Sequence, residues 1–261
     1  MSTVVSIASG KGGVGKSTLA VNFALRLQAT ASNALLVDSD LLMANAHILM
    51  NYQPKLDLVH YLEGTHSLRD VVQSGPGALS ILAGRTGVSV SLEQRGDPLR
   101  NLIPHIRETL EGVEYIVVDT PAGSGQDVLN SLAQSDHVVI VLLGQATSFV
   151  DAYALIKNAY LERRLAQFSV VVNAAESKRQ AQIVFNNFAK TVSSFLPVML
   201  NYCGHIAQRD AFHQASVQCK PLALMAKEQS QIAEFDTILR RILAAPRNAE
   251  HQAEVMTSGA I

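Results

Sequence analysis

Four glycines and two lysines crowd into eight consecutive residues, Gly10-Lys11-Gly12-Gly13-Val14-Gly15-Lys16-Ser17. An apolar run at residues 4–8 precedes them, and helical spacing over 16–29 follows. Glycines let backbone N–H groups converge on one point without interference from Cβ atoms, and a helix N-terminus behind them adds positive potential. The ligand that such a loop suits is a chain of phosphates, and the spacing is that of a P-loop between a buried strand and a helix. Lys16 then reaches the β- and γ-phosphates, and the Ser17 hydroxyl is placed to ligate Mg²⁺. Gly10, Gly12, Gly13, Val14, Gly15 and Thr18 complete the phosphate cradle.

The rest of the chain agrees with a loop of that kind. Further apolar runs rich in β-branched residues fall at 34–37, 115–118, 137–143, 168–172 and 198–202, with a weaker one at 79–82. They are apolar on both faces, as strands between two helical layers must be. Helical spacing separates them at 98–110, 148–165, 178–195 and 230–244. Asp97 before Pro98 reads as an N-cap with proline at the first helical position, and Pro104 either kinks that helix or delays its start. Strand and helix alternating at this interval predict an α/β fold, a doubly wound, mostly parallel sheet flanked by helices. Residues 1–246 are expected to form this one domain and 247–261 a polar tail.

Two more segments carry carboxylates to strand ends. Leu36-Val37-Asp38-Ser39-Asp40 closes one apolar run and Ile116-Val117-Val118-Asp119-Thr120-Pro121-Ala122-Gly123 closes another. Aspartates there also serve as ordinary turn or cap residues. After a P-loop, however, an apolar strand that ends in aspartate delivers a Mg²⁺ ligand.

The stretch from Lys11 to Thr18 resembles the deviant Walker A motif of the MinD/ParA ATPases, whose early lysine reaches across a dimer interface. The resemblance implies ATP held with Mg²⁺ between two copies of the chain, and Lys11, Lys16 and Asp40 as the catalytic set. Asp38-Ser39-Asp40 is similar to the family's switch segment, which gives Asp40 the attacking water and Asp38 a place supporting the Mg²⁺ shell. The segment ending at Asp119 is similar to the family's second metal-binding strand, with Gly123 freeing the loop behind it. Asn173, which closes the run at 170–172, matches the asparagine that recognises adenine. Asn45, Leu62-Glu63-Gly64, Leu68-Arg69-Asp70-Val71 and the segment from Thr147 to Lys157 resemble the flagellar subgroup FleN/FlhG, regulators of flagellar number and placement. A flagellar or regulatory protein partner is implied.

The chain also departs from that pattern. Gly144-Gln145-Ala146 stands where an acidic residue and a proline are usual, His47 where an acid is usual, and the proline of the adenine-side loop is missing near residues 204–210. The first strand begins almost at Met1, which leaves no room for the N-terminal segment that some relatives use on a partner GTPase. Ile232, Phe235, Ile238, Leu239, Ile242 and Leu243 form an apolar stripe, read as a core helix rather than a membrane anchor.

Composition narrows the functional classes. Of 261 residues 48% are hydrophobic and 16% charged, with a net charge of −1, which argues against nucleic acid as a partner. The basic pairs Arg163-Arg164, Lys178-Arg179 and Arg240-Arg241 are the only hints of a cargo such as DNA, the alternative within the family. Two cysteines, Cys203 and Cys219, without ligand spacing fit inert thiols of a reducing cytoplasm. No run is long enough to span a bilayer. No histidine or cysteine constellation supports a second substrate site, as an amidotransferase would require.

Overall fold

A computed structural model describes residues 2–30, 33–41, 43–86, 99–209, 214–215, 217–225 and 229–248. Its strands are β1 (Thr3–Ser9), β2 (Ala34–Asp38), β3 (Val72–Ser74), β4 (Ser80–Leu82), β5 (Tyr115–Ala122), β6 (His137–Leu142), β7 (Gln167–Ala175) and β8 (Met199–Ala207). They form one sheet in the order β3-β4-β2-β5-β1-β6-β7-β8. Every adjacent pair is parallel except β3 with β4. The main helices are α1 (Lys16–Ala29), α5 (Leu102–Thr109), α6 (Gln126–Ala133), α7 (Ala146–Arg163), α8 (Lys178–Ser193) and α9 (Gln229–Leu243), with short helices α2 (Ala46–Leu49), α3 (Leu58–Leu62) and α4 (Leu68–Val71).

Side chains that alternate along a strand face opposite layers. Val5 and Ile7 of β1 pack with α1 and α9, while Ala8 packs with α6, α7 and α8 and Val4 with α5. β1 is the central strand where the chain's crossovers reverse direction, so the crevice at its C-terminal end is where such a sheet binds ligands. The glycine-rich loop occupies that crevice.

Several elements differ from expectation for definite reasons. β3 is three residues long, two of them polar, and its order comes from antiparallel pairing with β4. β8 runs on to Ala207 through Gly204, at φ 142°, where a Cβ would lie 2.8 Å from Ile238 Cγ1. Glycine there lets α9 close on the strand. α5 starts at Leu102, with Pro104 in the first turn, where no helical hydrogen bond is lost. Asp97 and Pro98 lie outside the described residues. Asn248 is buried, donating from its backbone to the Asp136 carbonyl at 3.0 Å and bonding the Gln167 backbone with its amide. Core contacts therefore run two residues past the expected boundary at 246, while 249–261 lie outside the described residues.

The apolar stripe of the last helix is core. Phe235, Ile238, Leu239 and Ile242 are buried, Phe235 meets Phe23 edge-on at 5.9 Å, and Arg26 clamps Asp236 at 2.8 and 3.0 Å. Among the described residues no helix is long and apolar enough to cross a membrane. Phe235→Ala is expected to cost about 3–5 kcal/mol, read as a lowered urea midpoint with an unchanged slope. A loss below about 1 kcal/mol would mean that α9 is not part of the core.

Candidate nucleotide site

Gly15 caps α1 at φ 88° and Gly13 sits at φ 77°, backbone states in which a β-carbon is strained. Two contacts make the loop tighter than its spacing requires. A Cβ on Gly10 would lie 2.1 Å from the Asp151 carbonyl of α7, and one on Gly15 would lie 2.3 Å from Asn173 Nδ2. Asn173 donates to the Val14 carbonyl at 2.7 Å, which ties the end of β7 to the loop. Ser9 Oγ donates to the Lys11 carbonyl at 2.8 Å.

The loop's two lysines have opposite surroundings. Lys16 is buried at the base, with Nζ 2.7 Å from Asp119 Oδ1. Lys11 is exposed at the rim beside exposed Gly12 and Gly13. Asp38 and Asp119 stand opposite one another in the β2–β5 register, both buried. Ser39 joins these strands, since its N–H and hydroxyl both donate to the Asp119 carbonyl at 3.0 Å. Asp38 accepts from the backbone N–H groups of Ala46 and Asp40, and Asp40 accepts from Met43. Ser17 also lies close enough to Asp119 to favour its charged form. Gly123, at φ 102°, donates to the Ser9 carbonyl at 2.9 Å, and a Cβ there would meet nothing within 4 Å.

Burial pushes Asp119 upward, opposed by Lys16 and Ser17. Burial, and then the Asp119 charge, raise Asp38 from its ordinary 3.8 to about 8. With Lys16 beside Asp119, the proton of the pair belongs on Asp38. A folded chain that holds this proton more tightly than the unfolded one has a contribution to stability that is full below pH 3.8 and lost as pH rises through about 8. In chelator-treated buffer, melting temperature should fall more steeply between about pH 5 and about pH 8 for the natural chain than for Asp38→Asn. Equal slopes would put the proton elsewhere.

Hard oxygen donors at Ser17, Asp38 and Asp119, with two carboxylates facing one lysine, fit a divalent cation such as Mg²⁺. The structure brings Lys16, Ser17, Asp38, Asp40 and Asp119 together and ties Asn173 to the loop, while Lys11 stands exposed at the rim. Reasoning from sequence missed Ser39 and the Asp151 carbonyl. A hydroxyl between paired aspartates was the available signal for Ser39, whereas a backbone carbonyl leaves no trace in a sequence.

A family model described as ParA, the NUBPL iron-transfer P-loop NTPase, matches residues 1–243. The chain belongs to the ParA/MinD family of P-loop ATPases. The antiactivator FleN of Pseudomonas aeruginosa is 33% identical over 81% of this chain and 76% of its own. The flagellum site-determining protein YlxH of Helicobacter pylori is 27% identical over 77% of this chain and 68% of its own. The cell-division ATPase MinD of Pyrococcus furiosus superposes with a TM-score of 0.74 at 20% identity, over 93% of this chain and 98% of that one. MinD of Pyrococcus horikoshii, solved with Mg-ADP, gives a TM-score of 0.70 at 19% identity, over 90% and 94%. As a member of this family the chain binds ATP and hydrolyses it.

Proposed function

We propose that this ATPase is a nucleotide switch of the FleN/FlhG kind, which dimerises on ATP, hydrolyses it slowly and so regulates flagellar number, placement or gene expression. The contrast between the two lysines carries the reading. Buried Lys16 serves the phosphates of its own subunit, while Lys11, exposed at the rim, is free to serve the nucleotide of a second copy. The loop N–H groups and Thr18 hold the phosphates, and Ser17 and Asp119 hold Mg²⁺ with Asp38 in support. Mg²⁺ would neutralise charge on the phosphate oxygens. Asp40 orients the attacking water, Asn173 recognises adenine, and Gly123 lets its loop follow the γ-phosphate. The flagellar role rests on the likeness to FleN and YlxH. The ATP-bound and released forms would offer different surfaces to a flagellar or transcriptional partner.

Asp40→Ala tests the catalytic part. A carboxylate that orients water acts in the transition state more than in binding, so turnover should fall by about 10²–10³-fold. Calorimetric ATP affinity should stay within about threefold, since uniform binding is untouched. Turnover close to that of the natural chain would move the role elsewhere, into the loop after Asp119.

A further inference from the structure

Among the described residues β8 ends the sheet, and an edge strand carries backbone N–H and C=O groups that a further strand can use. Beside it, between α8 and α9, lies a cleft of about 310 Å³ lined by Lys178, Tyr202, Cys203, His205, Glu234 and Arg241 among others. Its charges do not cancel. Glu234 is committed to Arg209 at 2.6 Å, whereas neither Lys178 nor Arg241 has a carboxylate partner among the described residues. Arg241 reaches only the Cys203 carbonyl, at 3.4 Å. Burial holds His205 below the usual histidine value, which leaves Lys178 and Arg241 as the cations of the cleft at neutral pH. Tyr202 Oη is buried without a hydrogen-bond partner among the described residues.

We propose that the β8 edge and this cleft dock an extended acidic segment of a partner protein, which adds as a strand while its carboxylates meet Lys178 and Arg241. Two basic pairs widely separated in sequence, Lys178-Arg179 and Arg240-Arg241, each send one member to this edge. Main-chain pairing supplies affinity in such an arrangement, and the flanking charges select the partner. Two uncompensated cations suit a peptide with spaced carboxylates. A nucleic-acid backbone asks for a broader basic surface than a chain of net charge −1 offers.

The test is fluorescence anisotropy on the full chain with a short labelled peptide of alternating valine and glutamate. Saturable binding is expected, weakened about tenfold or more when alternate peptide nitrogens are methylated, and to a similar degree by Lys178→Glu with Arg241→Glu. Circular dichroism checks the fold. Should the double variant not fold, Lys178→Glu alone, at an exposed position, carries the test. Equal binding of a valine–lysine peptide, preferential binding of labelled duplex DNA at the same two residues, or no saturable binding would overturn the proposal. So would variants that self-associate yet keep peptide binding, because the cations would then be guards of the edge.

Discussion

Lys16→Ala should remove measurable ATP binding and lower hydrolysis by at least about 10³-fold, the largest effect expected of any single change in this chain. In the proposed arrangement Lys16 meets the β- and γ-phosphates from the base of the loop, where it is held 2.7 Å from Asp119. Its loss also leaves two buried carboxylates, Asp38 and Asp119, facing each other without a cation. Removing one member of a buried pair costs about 3–5 kcal/mol, softened here as a carboxyl takes up a proton. Melts by circular dichroism must therefore accompany calorimetry, and Lys16→Gln, closer in volume, separates lost charge from lost packing. ATP affinity near that of the natural chain in a folded variant would end the assignment of Lys16 to the phosphates.

Lys11→Ala should behave in the opposite way toward binding and the same way toward turnover. The side chain is exposed, so its removal should change stability by less than about 0.5 kcal/mol. Nucleotide affinity of the single subunit should stay within about threefold, because the subunit's own cradle is intact. Turnover should fall by about 10²-fold or more if Lys11 acts on the nucleotide of a second copy, as loss of an arginine finger does elsewhere. Turnover of the natural chain should rise with protein concentration and that of Lys11→Ala should not. An unchanged rate in Lys11→Ala would assign the lysine no part in the reaction.

The site was more legible in the sequence than the fold's edges were. Phosphate recognition demands glycines and a lysine at fixed intervals, and the central strands must be apolar on both faces, so the loop and β1, β2, β5, β6 and β7 announce themselves. β3 has no such signature, since Val72-Gln73-Ser74 becomes a strand only by pairing with β4. Gly204 broke the apolar pattern of β8, whose last residues are ordered by β7 alone. The Asn173 bond to Val14 spans 159 positions, and the upward push on Asp38 comes from its burial in the sheet and then from its register opposite Asp119. Both are properties of the assembled sheet and have no local pattern to read.

Light scattering of the natural chain with a non-hydrolysable ATP analogue and Mg²⁺, beside the same sample with ADP and beside Lys11→Ala with the analogue, tests nucleotide-switched pairing most directly. The account predicts a doubling of mass in the first sample and monomer mass in the other two. A mass indifferent to the nucleotide, or a dimer fraction that Lys11→Ala leaves unchanged, would contradict it.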